Sequence, residues 1–170
     1  MRSLLILLSF AFSLLVSANE YKLGSGDKIE ITVYGEPDLT TKVKINKSGM
    51  ISFPFIDDFN VVGLTVDEVE ELVRNGLLGD YLINPQVLVT VTEYRPFFIH
   101  GQVKRPGGYP FQDQLTLDKA IALAGGLTIR ASQSDWNITR IIDGKTVVLE
   151  ANVATFVQPD DIIKIEQSFF

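Results

Sequence analysis

Apolar residues along this chain recur mostly at every second position and only twice at helical spacing, a balance that leaves few folds open. Ile29-Glu30-Ile31-Thr32-Val33 and Val43-Lys44-Ile45 alternate apolar with polar. In Val87 to Val91, one face carries Val87, Val89 and Val91, and Leu88, Thr90 and Thr92 take the other. Such alternation predicts half-buried strands. Turn chemistry separates them: Gly35-Glu36-Pro37-Asp38 follows the first, and Asn46-Lys47-Ser48-Gly49 leads from Val43–Ile45 into Met50-Ile51-Ser52-Phe53, which reads as a hairpin. Later candidates are Ile138–Ile142, Thr146–Leu149 and Ile162–Ile165, the first two joined by the hairpin turn Asp143-Gly144.

The two helical stretches are equally explicit. Thr65 with Glu68 three residues on forms the reciprocal capping pattern, and Val66, Val69, Leu72, Val73 and Leu77 then repeat at helical spacing until Gly79. Leu117, Ala120, Ile121 and Ala124 do the same after Thr116, and Gly125-Gly126 supplies residues able to take the left-handed terminating conformation. Both stripes read as core faces. An internal echo links them: Pro54-Phe55-Ile56-Asp57 precedes the first helix as Pro110-Phe111-Gln112-Asp113 precedes the second, and Gly26-Asp27-Lys28-Ile29-Glu30-Ile31 is matched weakly by Asp160-Asp161-Ile162-Ile163-Lys164-Ile165. The expectation is an α+β chain of two small β-rich domains, each with one main helix, divided near Tyr94-Arg95-Pro96 into residues 19–95 and 96–170.

Residues 1–18 read as a signal peptide. Arg2 gives a positive start, Leu4–Val16 carries no charge, and Val16-Ser17-Ala18 places small residues ahead of cleavage between Ala18 and Asn19. The apolar run falls short of the roughly 20 residues that span a bilayer. Composition removes further possibilities. With no Cys and one His, the chain has no disulfide, no thiolate metal ligand, no thiol nucleophile and no multi-imidazole metal site. Fifteen Lys and Arg against 21 Asp and Glu give a net charge of −6, which argues against general affinity for nucleic acid or anionic lipid.

A search for catalytic chemistry turns up little. His100 ends the apolar run Phe97-Phe98-Ile99 and has no nucleophile elbow to serve. Asp57-Asp58 has the composition of a glycosidase acid–base pair, yet neighbours on an extended chain point to opposite faces, and acids in this position are ordinarily solvated turn residues. Gly24-Ser25-Gly26-Asp27 lacks a third glycine and leads into a strand, so it offers no helix amides to a phosphate. No Gly-Lys-Ser/Thr loop is present, and no cofactor is expected; Asn137-Ile138-Thr139 is an isolated acceptor triplet.

Several segments together resemble the outer-membrane polysaccharide export family: Tyr21–Asp27 with Ile29–Gly35, Gly49–Pro54, Val62–Thr65, Asn84-Pro85-Gln86-Val87, Gly101–Gly107 and Ala122–Leu127. The first unit is similar to its export-signature domain and the second to its soluble-ligand-binding β-grasp (SLBB) module. The resemblance implies a ring-forming periplasmic protein, peripheral to the outer membrane, that is a passage for capsular or exopolysaccharide and couples to an inner-membrane copolymerase. The sequence shows no lipidated Cys and no amphipathic helix after Ile165, so it resembles the short members, which hand polymer to a separate outer-membrane β-barrel. A monomeric glycan-binding module, or a hydrolase or lyase using Asp57 and Asp58, are the alternatives.

The shared motifs have mostly structural work to do. Gly26 and Gly49 permit tight turns, Asp27 is expected to bond the backbone two residues ahead, and Pro54, Pro85 and Pro106 end strands or stiffen corners. Arg105 in Arg105-Pro106-Gly107 reads either as an exposed turn charge or as a forked contact for a carboxylate of a neighbouring subunit or a sugar acid. For Tyr94, Tyr109 and Trp136 core packing is the default expectation, with stacking on sugar rings the alternative where they are exposed.

Overall fold

The structure, a computed structural model, describes residues 21–142 and 144–168. In chain order the elements are β1 (Lys28–Val33), β2 (Glu36–Lys44), β3 (Met50–Phe53), β4 (Ile56–Asn60), α1 (Val66–Leu77), β5 (Val87–Glu93), β6 (Phe97–Gly101), β7 (Gly107–Tyr109), α2 (Leu117–Leu123), β8 (Ala131–Ile142), β9 (Lys145–Ala151) and β10 (Ile162–Gln167). Strands form three sheets, ordered β2-β1-β5, β3-β4 and β7-β6-β10-β8-β9. All pairings are antiparallel except β6 with β10, which run parallel. The α+β, two-helix expectation holds. The predicted signal peptide and its cleavage point lie outside the described residues, as does Asp143 of the β8–β9 turn.

Two separate cores account for this arrangement. Ile29, Ile31 and Val33 are the buried alternate residues of β1, and they meet Val69, Val73 and Leu77 from one stripe of α1 together with Ile51, Phe53, Val61 and Val89. The other core joins Phe97, Ile99, Ile138, Ile163 and Ile165 of the five-stranded sheet to Leu117, Ala120, Ile121 and Ala124. Burying a side chain of this size is worth about 1.5–3 kcal/mol, so each cluster outweighs any single polar contact in its unit.

Helix α1 begins as the sequence predicts. The Thr65 hydroxyl accepts from Glu68 N–H and the Glu68 carboxylate accepts from Thr65 N–H, which satisfies two otherwise orphaned donors. Farther along, Glu70 accepts from Val89 N–H on the outer edge of β5 at 2.9 Å, so the helix covers a strand edge as well as a core. Thr116 stands at the N-cap of α2 without a side-chain hydrogen bond, and Gly125 and Gly126 follow its end with φ of 81° and 88°.

Three local expectations are corrected. The β1–β2 turn is Tyr34-Gly35, because Val33 already pairs with Glu36. Glu36, Pro37 and Asp38 belong to β2, an edge strand where a proline costs no ladder bond. Asn46–Gly49 does not close a hairpin, since β2 and β3 lie in different sheets. It is an Asx-stabilised crossing in which Ser48 N–H donates to Asn46 Oδ1. Asp57 and Asp58 lie in β4 rather than in a turn, the residues after Pro54 having paired back onto β3.

The capping box generates a stability test. Thr65→Ala is expected to lower unfolding free energy by about 1 kcal/mol, read as a lower urea midpoint. Because both side chains serve one device, Thr65→Ala combined with Glu68→Ala should cost less than the sum of the two single losses.

Candidate functional site

The densest polar constellation of the described residues lies where the two cores adjoin. Asp27 is fully buried, and its carboxylate accepts four hydrogen bonds: from Gly24 N–H at 2.8 Å, Tyr21 Oη at 2.6 Å, Arg95 N–H at 2.8 Å and Arg95 Nη1 at 2.9 Å. The expected forward bond of Asp27 is thus a backward one, to the residue three positions earlier. Arg95, whose side chain is 17 % exposed, also donates from Nη1 to Tyr21 Oη and from Nε to Asp160 Oδ2, both at 2.6 Å. One guanidinium therefore binds a turn of each unit.

Those two turns have the same build. Asp161 is fully buried as Asp27 is. It accepts from Gln158 N–H three residues back at 2.6 Å, and its own N–H donates to the Gln158 carbonyl as that of Asp27 donates to Gly24. Arg140 forks onto Asp161 through Nε at 2.8 Å and Nη2 at 2.7 Å, as Arg95 serves Asp27. The residue before each aspartate sits at positive φ: Gly26 at 107° and Asp160 at 67°. A side chain on Gly24 would overlap the Arg95 guanidinium, so glycine is required there for close approach.

Around the clamp, Tyr94 packs edge-on against Tyr21 at 4.9 Å and Phe111 at 5.3 Å, and donates to Asp113 Oδ2 at 3.3 Å. Main-chain bonds hold the Asp160–Asp161 turn beside the start of the second unit: Asp160 N–H to the Pro96 carbonyl and Phe98 N–H to the Asp161 carbonyl. Electrostatics follow from this packing. Burial, with the Asp27 hydrogen bond second, pushes the Tyr21 phenol well above its ordinary range. Burial and Asp113 push Tyr94 up to about 12. Burial pulls Arg95 down, but Tyr21, Asp27 and Asp160 outweigh it and hold the guanidinium above its usual value.

A second docking point joins two of the sequence motifs. Arg105 N–H donates to the Ala124 carbonyl, Lys104 N–H to that of Gly126, and Arg105 Nη2 to that of Leu123 at 3.0 Å. A cation placed on the last carbonyls of α2 complements the negative end of the helix dipole. Tyr109 stacks on Phe97 at 6.0 Å and donates to the Arg105 carbonyl at 2.6 Å, which locks the Arg105-Pro106-Gly107 corner. In the same motif, a side chain at Gly101, φ 87°, would overlap the Ile165 carbonyl.

The remaining candidates disperse. Trp136 is 5 % exposed and its indole N–H donates to the Ser132 carbonyl, so its ring is core and not a platform. His100 is exposed on β6, in register with Lys164. Asp57 and Asp58 are exposed, and Asp58 accepts from the Ser52 hydroxyl at 2.6 Å across the β3–β4 ladder. Pro85 is buried just before β5, Pro54 occupies the β3–β4 turn, and Gly49 has φ 73° at the end of the Asn46 crossing. Among the described residues no three His, Asp or Glu gather closely enough to hold a metal ion, and every buried side-chain polar atom has a partner. No helix of these residues is long and apolar enough to cross a membrane. Sequence reasoning missed Arg95 as a functional residue: the weak Asp27/Asp161 echo marked the two turns but not the arginine that joins them.

Comparison with known proteins gives two family matches in tandem. Residues 16–92 match a family described as polysaccharide biosynthesis/export protein, and residues 96–149 match the SLBB domain. The chain is similar to the exopolysaccharide production protein ExoF of Rhizobium meliloti (strain 1021), 34 % identical over 74 % of this chain and 32 % of that protein. It is 27 % identical to the EPS I polysaccharide export outer membrane protein EpsA of Ralstonia nicotianae, over 91 % of this chain and 49 % of that one. With the capsule polysaccharide export outer membrane protein CtrA of Neisseria meningitidis serogroup A it shares 30 % identity over 65 % of this chain and 29 % of that one. The chain thus spans about a third to a half of the length of these curated relatives.

Two tests address the clamp. Arg95→Met leaves Asp27 charged and buried and should cost about 3 kcal/mol or more in urea unfolding, whereas Asp160→Asn, at a carboxylate 53 % exposed, should cost under about 1 kcal/mol. For Tyr94, a phenol held neutral in the fold contributes stability that is fully present below pH 10 and is lost as pH rises to about 12. An ultraviolet titration should show that late phenolate step, and Tyr94→Phe should remove it.

Proposed function

With an export-family domain followed by an SLBB domain, the chain belongs with the polysaccharide biosynthesis/export proteins, and from that premise we propose that it is a conduit component carrying a polysaccharide across the periplasm towards the outer membrane. The single observation that carries this is the unbroken order of the two family matches along the chain. The Arg95 clamp supports it, because a passage for a long polymer needs walls that hold their relative position. In this reading residues 19–95 and 96–170 are the two structural units. Whole chains associate with one another as ring subunits, take polymer from an inner-membrane copolymerase, and perform no bond chemistry of their own. Gly26, Asp27, Arg105, Gly125 and Gly126 serve the reading by fixing turns and helix ends, not by touching a reacting atom.

Deletion of the gene in its host tests the proposal. Surface polysaccharide should fall to background while its synthesis continues inside, and the wild-type chain supplied in trans should restore it. Undiminished surface polymer in the deletion strain overturns the reading. So does a purified chain that cleaves the polymer unaided.

A further inference from the structure

The hairpin joining β3 to β4 carries an unusual residue at its tip. Phe53 pairs with Ile56, so Pro54 and Phe55 alone make the turn, and Phe55 takes a φ of +67°. A proline at its fixed negative φ followed by a positive φ has the signs of a type II turn, whose third position ordinarily takes glycine. A bulky aromatic residue held there is strained backbone, of the kind that persists where the side chain has a task. That side chain is not in a core. Phe55 is 60 % exposed and stacks at 4.7 Å and 27° on Tyr81, itself 51 % exposed. The pair lines an open cleft of about 560 Å³ together with Pro54, Leu82 and two acidic residues, Glu36 and Asp38.

We propose that this cleft is a carbohydrate subsite that takes one neutral hexose ring of a passing polymer. This deepens the export reading above and rests on it. The chemistry selects the occupant. A flat aromatic pair receives the apolar C–H face of a sugar ring, while two carboxylates accept hydrogen bonds from its hydroxyls. The same carboxylates repel a uronic or sulfated unit, so selection is by charge as well as by shape. Solvent-exposed stacking on a single ring gives weak binding, and a polymer in transit has to leave each contact that it makes.

The test uses NMR titration of the full-length chain with cellopentaose and maltopentaose as neutral probes and an oligogalacturonate of equal length as the acidic one. Saturable shifts of the Phe55 and Tyr81 ring resonances are expected with a neutral probe at millimolar concentration, and binding of the acidic probe should be about tenfold weaker or less. Phe55→Gly accepts the positive φ without strain and so folds; it should lose about tenfold in neutral-probe affinity. Tyr81→Ala should lose as much, and Glu36→Gln with Asp38→Asn should narrow the gap between the probes. The proposal is overturned if neither neutral probe shifts these rings up to its solubility, if the Tyr81 shifts survive undiminished in Phe55→Gly, or if that variant instead changes the oligomeric mass, which would make the platform a contact between copies. Host cells separate the two readings. Normal export and sugar binding by Phe55→Gly, in a host whose deletion strain exports nothing, removes the subsite alone. Normal export in the deletion strain removes the conduit reading, whatever the titration shows.

Discussion

A guanidinium group enclosed between two acidic turns ties the first domain to the second. Arg95 sits two residues before the start of β6, and its backbone N–H and side chain both reach Asp27 while its Nε reaches Asp160. A fully buried carboxylate such as Asp27 is tolerated only with donors on its lone pairs, and here the chain supplies four. The geometry is also directional, since a planar fork meets oxygens that the turns hold in place. A lysine offers no such plane, and a flexible linker would leave the two cores free to turn against each other.

The same logic recurs within the second domain. Asp161 and Arg140 repeat the buried carboxylate with its forked partner, and Arg140 Nη2 reaches on to the Phe156 carbonyl at 2.9 Å. Arg105 then secures the end of a helix of only seven residues, too short to persist without its contacts. Three arginines thus do three positional tasks: Arg95 and Arg140 each meet a buried aspartate, and Arg105 meets a helix terminus. Three of the fifteen cations of this acidic protein therefore stand at joints of the architecture.

How much of this was legible beforehand depended on the range of the interaction. Local devices were: the Thr65–Glu68 box, the period-two burial of β1 and β5, and the glycines after α2 all follow from residues within a few positions of one another. Pairing between sheets was not. Asn46–Gly49 has the residues of a hairpin turn, yet the strands before and after it find partners elsewhere, β2 on β1 and β3 on β4. The glycine motifs around Asp27 and Arg105 signalled tight backbone, but the sequence contains no mark that Arg95 lies 68 residues from its partner in the chain and in contact with it in space. Trp136 and Phe55 show the limit from the other side. The tryptophan was a platform candidate only where exposed, and packing buries it, while the phenylalanine stands at the surface on a turn position meant for glycine.

The place of β10 in its sheet has a consequence for how the protein comes into being. The last strand described lies between β6 and β8, parallel to the first strand of its domain, so the middle of the sheet stays empty until residues beyond Ile165 have been synthesised. Pairings of such long sequence separation form slowly. The amino-terminal unit also pairs its central β1 with its last strand β5 across a comparable separation, but it is complete by Glu93 and is free to fold while its successor is still being made. Asp160 arrives with β10, so the joint at Arg95 forms only after both halves exist. Assembly of this chain therefore has an order imposed by topology, in which the hinge stays loose during biogenesis and stiffens at the final step.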